Sequence, residues 1–125
     1  MYMNVEELRD YCLSIKGAEE SFPFDKIDKG TLVFKVMGKM FAYFSLEPKD
    51  GIIRVNMKCD PERSADLRER YRGVDRCTHT TSLMWNTVCL DSDVPDEVIK
   101  SLISHSVEEV IKKLPKKQRE AYYQK

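Results

Sequence analysis

Apolar residues recur first at helical spacing and then at every second position. From Asn4 onward, Leu8, Tyr11, Cys12 and Ile15 fall on one face of a helix. Asn4 is suited to cap that helix, with Glu7 closing a capping box, and Gly17 is a natural residue to end it. The period then drops to two. In Thr31–Met37, Leu32, Phe34 and Val36 share one side. Gly38-Lys39 reads as a two-residue hairpin turn of type II′, followed by a returning strand over Met40–Leu46. Pro48-Lys49-Asp50-Gly51 has the composition of a turn. Beyond it, Ile53, Val55 and Met57 alternate with Arg54, Asn56 and Lys58. Three antiparallel strands in a meander are expected.

Asp60-Pro61-Glu62 predicts a second helix start, with Asp as the cap and Pro at the first helical position. Leu67 and Tyr71 supply its buried side, and Gly73 is expected to stop it. The hydroxyl-rich stretch 72–82 is expected to be a loop or a short edge strand. Leu83–Leu90 reads as a strand around Trp85 and Val88. Pro95 opens the longest helix, whose stripe runs Val98, Ile99, Leu102, Ile103, Val107, Val110, Ile111 and Leu114. Pro115 interrupts it, and Lys116–Gln124 is expected to form a further turn or short helix. Without repeats or linkers, the 125 residues are expected to form a single domain over 1–125.

Composition narrows the class. Hydrophobic residues at 42% and charged residues at 34% suit an ordinary globular chain. No apolar run approaches membrane-spanning length and no signal peptide is visible, so a soluble, cytoplasmic protein is expected. The four cysteines, at 12, 59, 77 and 89, never form a CxxC pair and are expected to be reduced. Formal net charge is zero, but residues 1–28 carry seven acids against three bases. Residues 111–125 carry six bases against one acid. That basic end can attract phosphate, although a neutral whole lacks the long-range field of an avid DNA binder.

The catalytic constellations that the chain could form each lack partners. Cys77-x-His79 with Cys59 is not a zinc spacing, so no metal and no cofactor is expected. Ser82, Ser101, Ser104 and Ser106 have no nucleophile-elbow context. His105, at the margin of the apolar stripe, suits packing or capping better than base catalysis. Glu19-Glu20 and Glu108-Glu109 point different ways on a regular element. No glycine-rich phosphate loop occurs, and an enzyme is not expected. What remains is binding. Lys112, Lys113, Lys116, Lys117 and Arg119 cluster near the C-terminus, with Lys35, Lys39, Arg54 and Lys58 on or between the first strands. If the face bearing Arg54, Asn56 and Lys58 is open, it could meet phosphates, with the Gly38-Lys39 hairpin as a wing. Ordinary solubilising surface and protection of strand edges account for the same lysines, and basic residues after a helix complement its dipole. Trp85 is expected to pack in or beside the core, with lining of a ligand groove as the alternative.

Four segments in this order carry a resemblance: Thr31–Ala42 (TLVFKVMGKMFA), Met57–Glu62 (MKCDPE), Trp85–Val88 (WNTV) and Leu114–Lys117 (LPKK). Together they resemble the MmcQ/YjbR family of small bacterial proteins, over Asn4 to Arg119. The resemblance implies a two-layer α+β fold of order αβββαββα, an antiparallel sheet covered by helices, similar to type III secretion chaperones. It implies no catalytic set. The family is often labelled DNA-binding, because parts of its sheet look like a double-wing motif. Two partners are therefore expected as alternatives: DNA, bound weakly and in a salt-dependent manner, or a protein or small molecule held at the sheet face or near Trp85.

Overall fold

The computed structural model describes residues 3–21, 30–46, 48, 50–77 and 84–124. Asn4 caps α1 (Val5–Ser14) through the expected capping box, its side chain accepting from Glu7 N at 2.8 Å. The helix stops short of Gly17, which has φ +76° and serves the turn that follows, where Ala18 N donates to Ile15 O. Next come β1 (Glu19–Ser21), β2 (Thr31–Val36), β3 (Lys39–Ser45) and β4 (Arg54–Lys58), then α2 (Pro61–Arg70). β5 (Val74–Arg76), β6 (Trp85–Cys89), α3 (Asp96–Lys112) and α4 (Lys116–Gln124) complete the chain. The class is α+β, with one antiparallel sheet of order β1-β2-β3-β4-β6-β5. The expected order gains a strand in front, β1, which no alternation in Glu19-Glu20-Ser21 announces. The segment 72–82 contributes edge strand β5, and its residues from 78 onward lie outside those described.

One face of the sheet meets the helices. Leu32, Phe34, Val36, Phe44, Val55, Met57 and Val88 form a single core with Leu8 and Cys12 of α1, Leu67 of α2, the α3 stripe and Tyr122 of α4. α3 lies across β2, β3 and β4, the centre of the sheet. Burying such aliphatic and aromatic side chains stabilises the fold by roughly 1.5–3 kcal/mol each.

Two turns differ from expectation. Val36 pairs with Lys39, so the β2–β3 turn consists of Met37-Gly38, and Lys39 already belongs to β3. Both turn residues have positive φ, +50° and +76°, which is the type I′ geometry that matches strand twist. Gly73 does not end α2 through a left-handed conformation. The helix ends at Arg70, and Gly73 is needed for close approach, since a Cβ there would come within 2.8 Å of Ser92 Cβ. Its N–H and that of Arg72 donate to the Asp93 carboxylate at 2.9 and 2.8 Å, holding that group below the usual carboxylate range.

Between β2 and β3 the register slips: Phe34 pairs with Ala42, but Lys35 pairs with Met40. Phe41 is thus the extra residue of a β-bulge, and both Phe41 and Ala42 contribute to the core. Ser106 of α3, fully buried, donates from Oγ to Phe41 O at 2.6 Å. Ser106 Oγ in turn accepts from Lys58 N at 2.9 Å. Replacing Ser106 with Ala leaves a buried carbonyl and a buried N–H unpaired, at a cost of about 2–3 kcal/mol in urea unfolding. Gly38→Ala, where an added Cβ meets nothing within 4 Å, should cost only the backbone term, about 1 kcal/mol.

Candidate functional site

The corner where β4 runs into α2 is pinned by three consecutive backbone donors. Lys58 N bonds Ser106 Oγ, Cys59 N bonds Met84 O at 2.7 Å, and Asp60 N bonds His105 Nε2 at 3.1 Å. The Asp60 carboxylate in turn accepts from Arg63 N and caps α2. His105 therefore works as an acceptor for backbone, which assigns its proton to Nδ1. With the corner fixed, strand alternation places Lys58 on the sheet face away from the main core, directly across from Trp85.

The centre of that outer face is closed, so the open surface on which phosphate contact by Arg54, Asn56 and Lys58 was conditional is not found there. Trp85 is only 6% exposed, and its ring packs 5.5 Å from that of Tyr43. This is the packed position favoured for it over a groove. Asn56, expected beside Arg54 and Lys58 on a surface, is buried and fully engaged. Its Oδ1 accepts from Thr87 Oγ1 at 2.6 Å and Cys77 Sγ at 3.3 Å, while Nδ2 donates to Tyr43 O. Burial and the Cys77 contact push the Tyr43 phenol well above its ordinary pKa.

At one end of this face Lys58 Nζ stands 5.8 Å over the Trp85 ring. Lys39, exposed at the start of β3 and paired with Val36, and Lys113, exposed after α3, belong to the helix side of the sheet but lie near enough for their charges to act on Lys58. Burial, then the charges of Lys113 and Lys39, hold the Lys58 amine below the usual lysine range. Among the described residues no carboxylate lies within ion-pair distance of these three.

The other basic candidates do not join them. Arg54 sits four residues along β4, about 13 Å away at strand spacing, and forms a two-point ion pair with Asp50, with one contact at 2.8 Å. Lys112 lies 3.7 Å from the Glu109 carboxylate. Arg119 donates to Lys112 O at 3.3 Å, capping α3. Lys35 is half-buried on β2. Lys116 and Lys117 are exposed on the first turn of α4, so they oppose that helix's dipole; only Lys112 and Lys113 complement α3.

The residues weighed for catalysis have structural partners. Ser104 Oγ bonds the Tyr11 hydroxyl at 2.6 Å, and Ser101 accepts from Arg63. Glu109 is buried while Glu108 is exposed, and Glu20 is paired with Arg9. His79 and Ser82 lie outside the described residues, among which no group of three metal-ligating side chains occurs. A groove of about 330 Å³ lies between α2 and α3, lined by Arg63, Asp66, Arg70, Glu97 and Ser101. An apolar cavity of about 230 Å³ is lined by Ile15, Val107, Ile111, Tyr122 and Tyr123. Neither touches Trp85. Sequence reasoning missed Ser106 and Asn56 as organisers. The signal for Ser106 was present, since it falls inside the apolar stripe between Ile103 and Val110.

Cys12, Cys59 and Cys77 are buried, and Cys89 is half-exposed. Burial pushes the Cys12 thiol from its ordinary 9.0 up to about 12 and also raises Cys59. Because the folded state favours the neutral thiol, this contribution is complete below pH 9 and fades as pH climbs toward 12. In a thiol-titration assay at mild alkaline pH, Cys89 should react first, with Cys12 and Cys59 released only by denaturant.

Comparison with known proteins agrees with this architecture. Residues 13–108 match the family model described as YjbR. The chain is 31% identical over 122 residues to the uncharacterized protein YjbR of Escherichia coli K12, covering 98% of this chain and 99% of that protein. The crystal structure of a Deinococcus radiodurans protein with a DUF419 domain superposes with a TM-score of 0.84 at 34% identity, over 97% of this chain and 88% of the other. A crystal structure from Pseudomonas syringae, 24% identical, shares the fold with a TM-score of 0.70 over 83% of this chain and 96% of that one. Among the described residues no helix is long and apolar enough to cross a membrane.

Proposed function

The chain belongs to the YjbR family, and on that footing we propose that it is a non-enzymatic cytoplasmic protein that binds the phosphate backbone of nucleic acid through Lys39, Lys58 and Lys113. The observation that carries this reading is a set of three lysines, Lys58 over the Trp85 ring and the exposed Lys39 and Lys113, that no carboxylate of the described residues pairs with and whose charges act on Lys58. Holding Lys58 beside two like charges is unfavourable in the free protein, and an incoming phosphate relieves it. The type I′ turn sets Lys39 beside the tip of the β2–β3 hairpin, which would serve as a wing against the duplex. The four cysteines, with no CxxC pair among them, suit a reducing compartment.

Zero net charge sets the scale: the affinity is modest and local, resting on a few phosphate contacts. A protein partner is the second reading, favoured by the groove between α2 and α3, which offers both guanidinium and carboxylate groups.

Fluorescence anisotropy with a labelled DNA duplex across a salt series tests the first reading. Lys39→Gln with Lys113→Gln should lower the slope of log affinity against log salt by about 2, roughly one per charge removed. Arg54→Gln should leave the slope nearly unchanged, since Asp50 already occupies that guanidinium. Absence of any anisotropy change at low salt, or a slope indifferent to the double substitution, rejects it.

A further inference from the structure

The β4–α2 corner is closed by three acceptors of different kinds. Ser106 Oγ and Met84 O, which receive Lys58 N and Cys59 N, keep their character at any ordinary pH. The third is the ring of His105, whose Nε2 receives Asp60 N over 3.1 Å. An imidazole accepts a hydrogen bond only while it is neutral, and histidine ordinarily changes charge between about pH 5 and 8. When Nε2 takes up a proton, two N–H groups face each other and the bond to Asp60 is lost.

A second partner for the protonated ring is already in place. Glu109, one turn further along α3, carries a carboxylate oxygen 3.8 Å from the same Nε2, on a side chain only 7% exposed. Its other oxygen lies 3.7 Å from Nζ of the exposed Lys112. Both distances exceed hydrogen-bond length, so this carboxylate is shielded from water with no close donor among the described residues. A charge-assisted bond from an imidazolium, at about 2.8 Å, would supply one. The other groups around the ring come from the β4–α2 side. The Asp60 carboxylate accepts from Arg63 N and lies beyond ion-pair distance of the ring, and the Arg63 guanidinium donates to Ser101, one turn before His105. Burial raises the Cys59 thiol above its ordinary range, so it stays neutral as the ring changes charge.

We propose that His105 is an acid-sensitive toggle at the start of α2: neutral, it holds Asp60 N, and protonated, it releases Asp60 N and turns to the Glu109 carboxylate. The proton comes from solvent, and no bond between heavy atoms changes. The effect is local. Ser106 and Met84 still hold Lys58 and Cys59, while the cap of α2 loses its tie to α3. Arg63, Asp66 and Arg70 of α2 line the groove that Glu97 and Ser101 line from α3, so acid loosens one wall of that groove. The bond to Asp60 is complete above the titration of the ring and disappears as pH falls through it.

The test follows the His105 ring and the Asp60 amide of the intact protein in one NMR titration from about pH 8 to 5, with amide exchange corrected for the intrinsic effect of pH. Asp60 should lose protection about five- to tenfold as the ring titrates, the size of one net hydrogen bond, while the Lys58 and Cys59 amides keep theirs. His79 is the other histidine of the chain, and His105→Gln tells the two ring signals apart. That variant also offers a carbonyl oxygen that does not titrate, so Asp60 should stay protected throughout. Glu109→Gln removes the receiving carboxylate, and release of Asp60 should then need stronger acid. Constant Asp60 protection while the ring titrates, a ring that keeps one charge state across the range, an equal loss in His105→Gln, or release at an unchanged pH in Glu109→Gln would each overturn the toggle.

Discussion

The arrangement depends on a single buried hydroxyl. A β-bulge at Phe41 buries one more aromatic ring than strict alternation allows, but it interrupts the ladder beside β2 and leaves backbone groups to be satisfied. Ser106 answers from the opposite layer, donating to Phe41 O and accepting from Lys58 N. One side chain thus fixes the height of α3 on the sheet, preserves the bulge and sets where β4 ends. His105 beside it extends the same fastening to Asp60 N, and through Asp60 to the first turn of α2. The position of Lys58 follows from this fastening.

What was legible in the sequence had a repeating physical cause. Period-two alternation marked β2, β3 and β4, and the helical stripe marked α3, because burial on one face imposes those periods. The Asn4 capping box and the Asp60-Pro61 start were legible because unsatisfied helix N–H groups demand such residues. The misses were matters of geometry that periodicity does not encode. Assigning the turn to Gly38-Lys39 presumed that Met37 avoids the left-handed region, but strand register placed it there. Gly73 looked like a helix stop, whereas the constraint on it comes from Ser92, distant in sequence. β1 is held by its pairing with β2 and by the Arg9–Glu20 contact, neither of which three polar residues advertise.

For the site, the list of basic residues was legible but their grouping was not. The nine candidate cations look equivalent in sequence. In space one is bound to Asp50, one faces Glu109, one caps a helix, one is half-buried on β2 and two oppose a dipole. The other three, Lys39, Lys58 and Lys113, have no carboxylate of the described residues within ion-pair distance. Which lysines matter is therefore a property of the acidic and backbone groups around them. The same logic applies to Asn56, whose place in an alternating strand suggested a surface, while its neighbours Thr87, Cys77 and Tyr43 draw it into a closed hydrogen-bonded patch.

The two outermost strands of the sheet, β1 and β5, are three residues long, and charged side chains occupy most of their positions: Glu19 and Glu20 on one, Asp75 and Arg76 on the other. Such margins offer too few free backbone groups, and too much charge, for another chain to extend the sheet by strand addition. Assembly through edge-to-edge pairing is thereby discouraged, fibrillar self-association included. The margins of this sheet are consequently poorly suited to recognition through backbone hydrogen bonds.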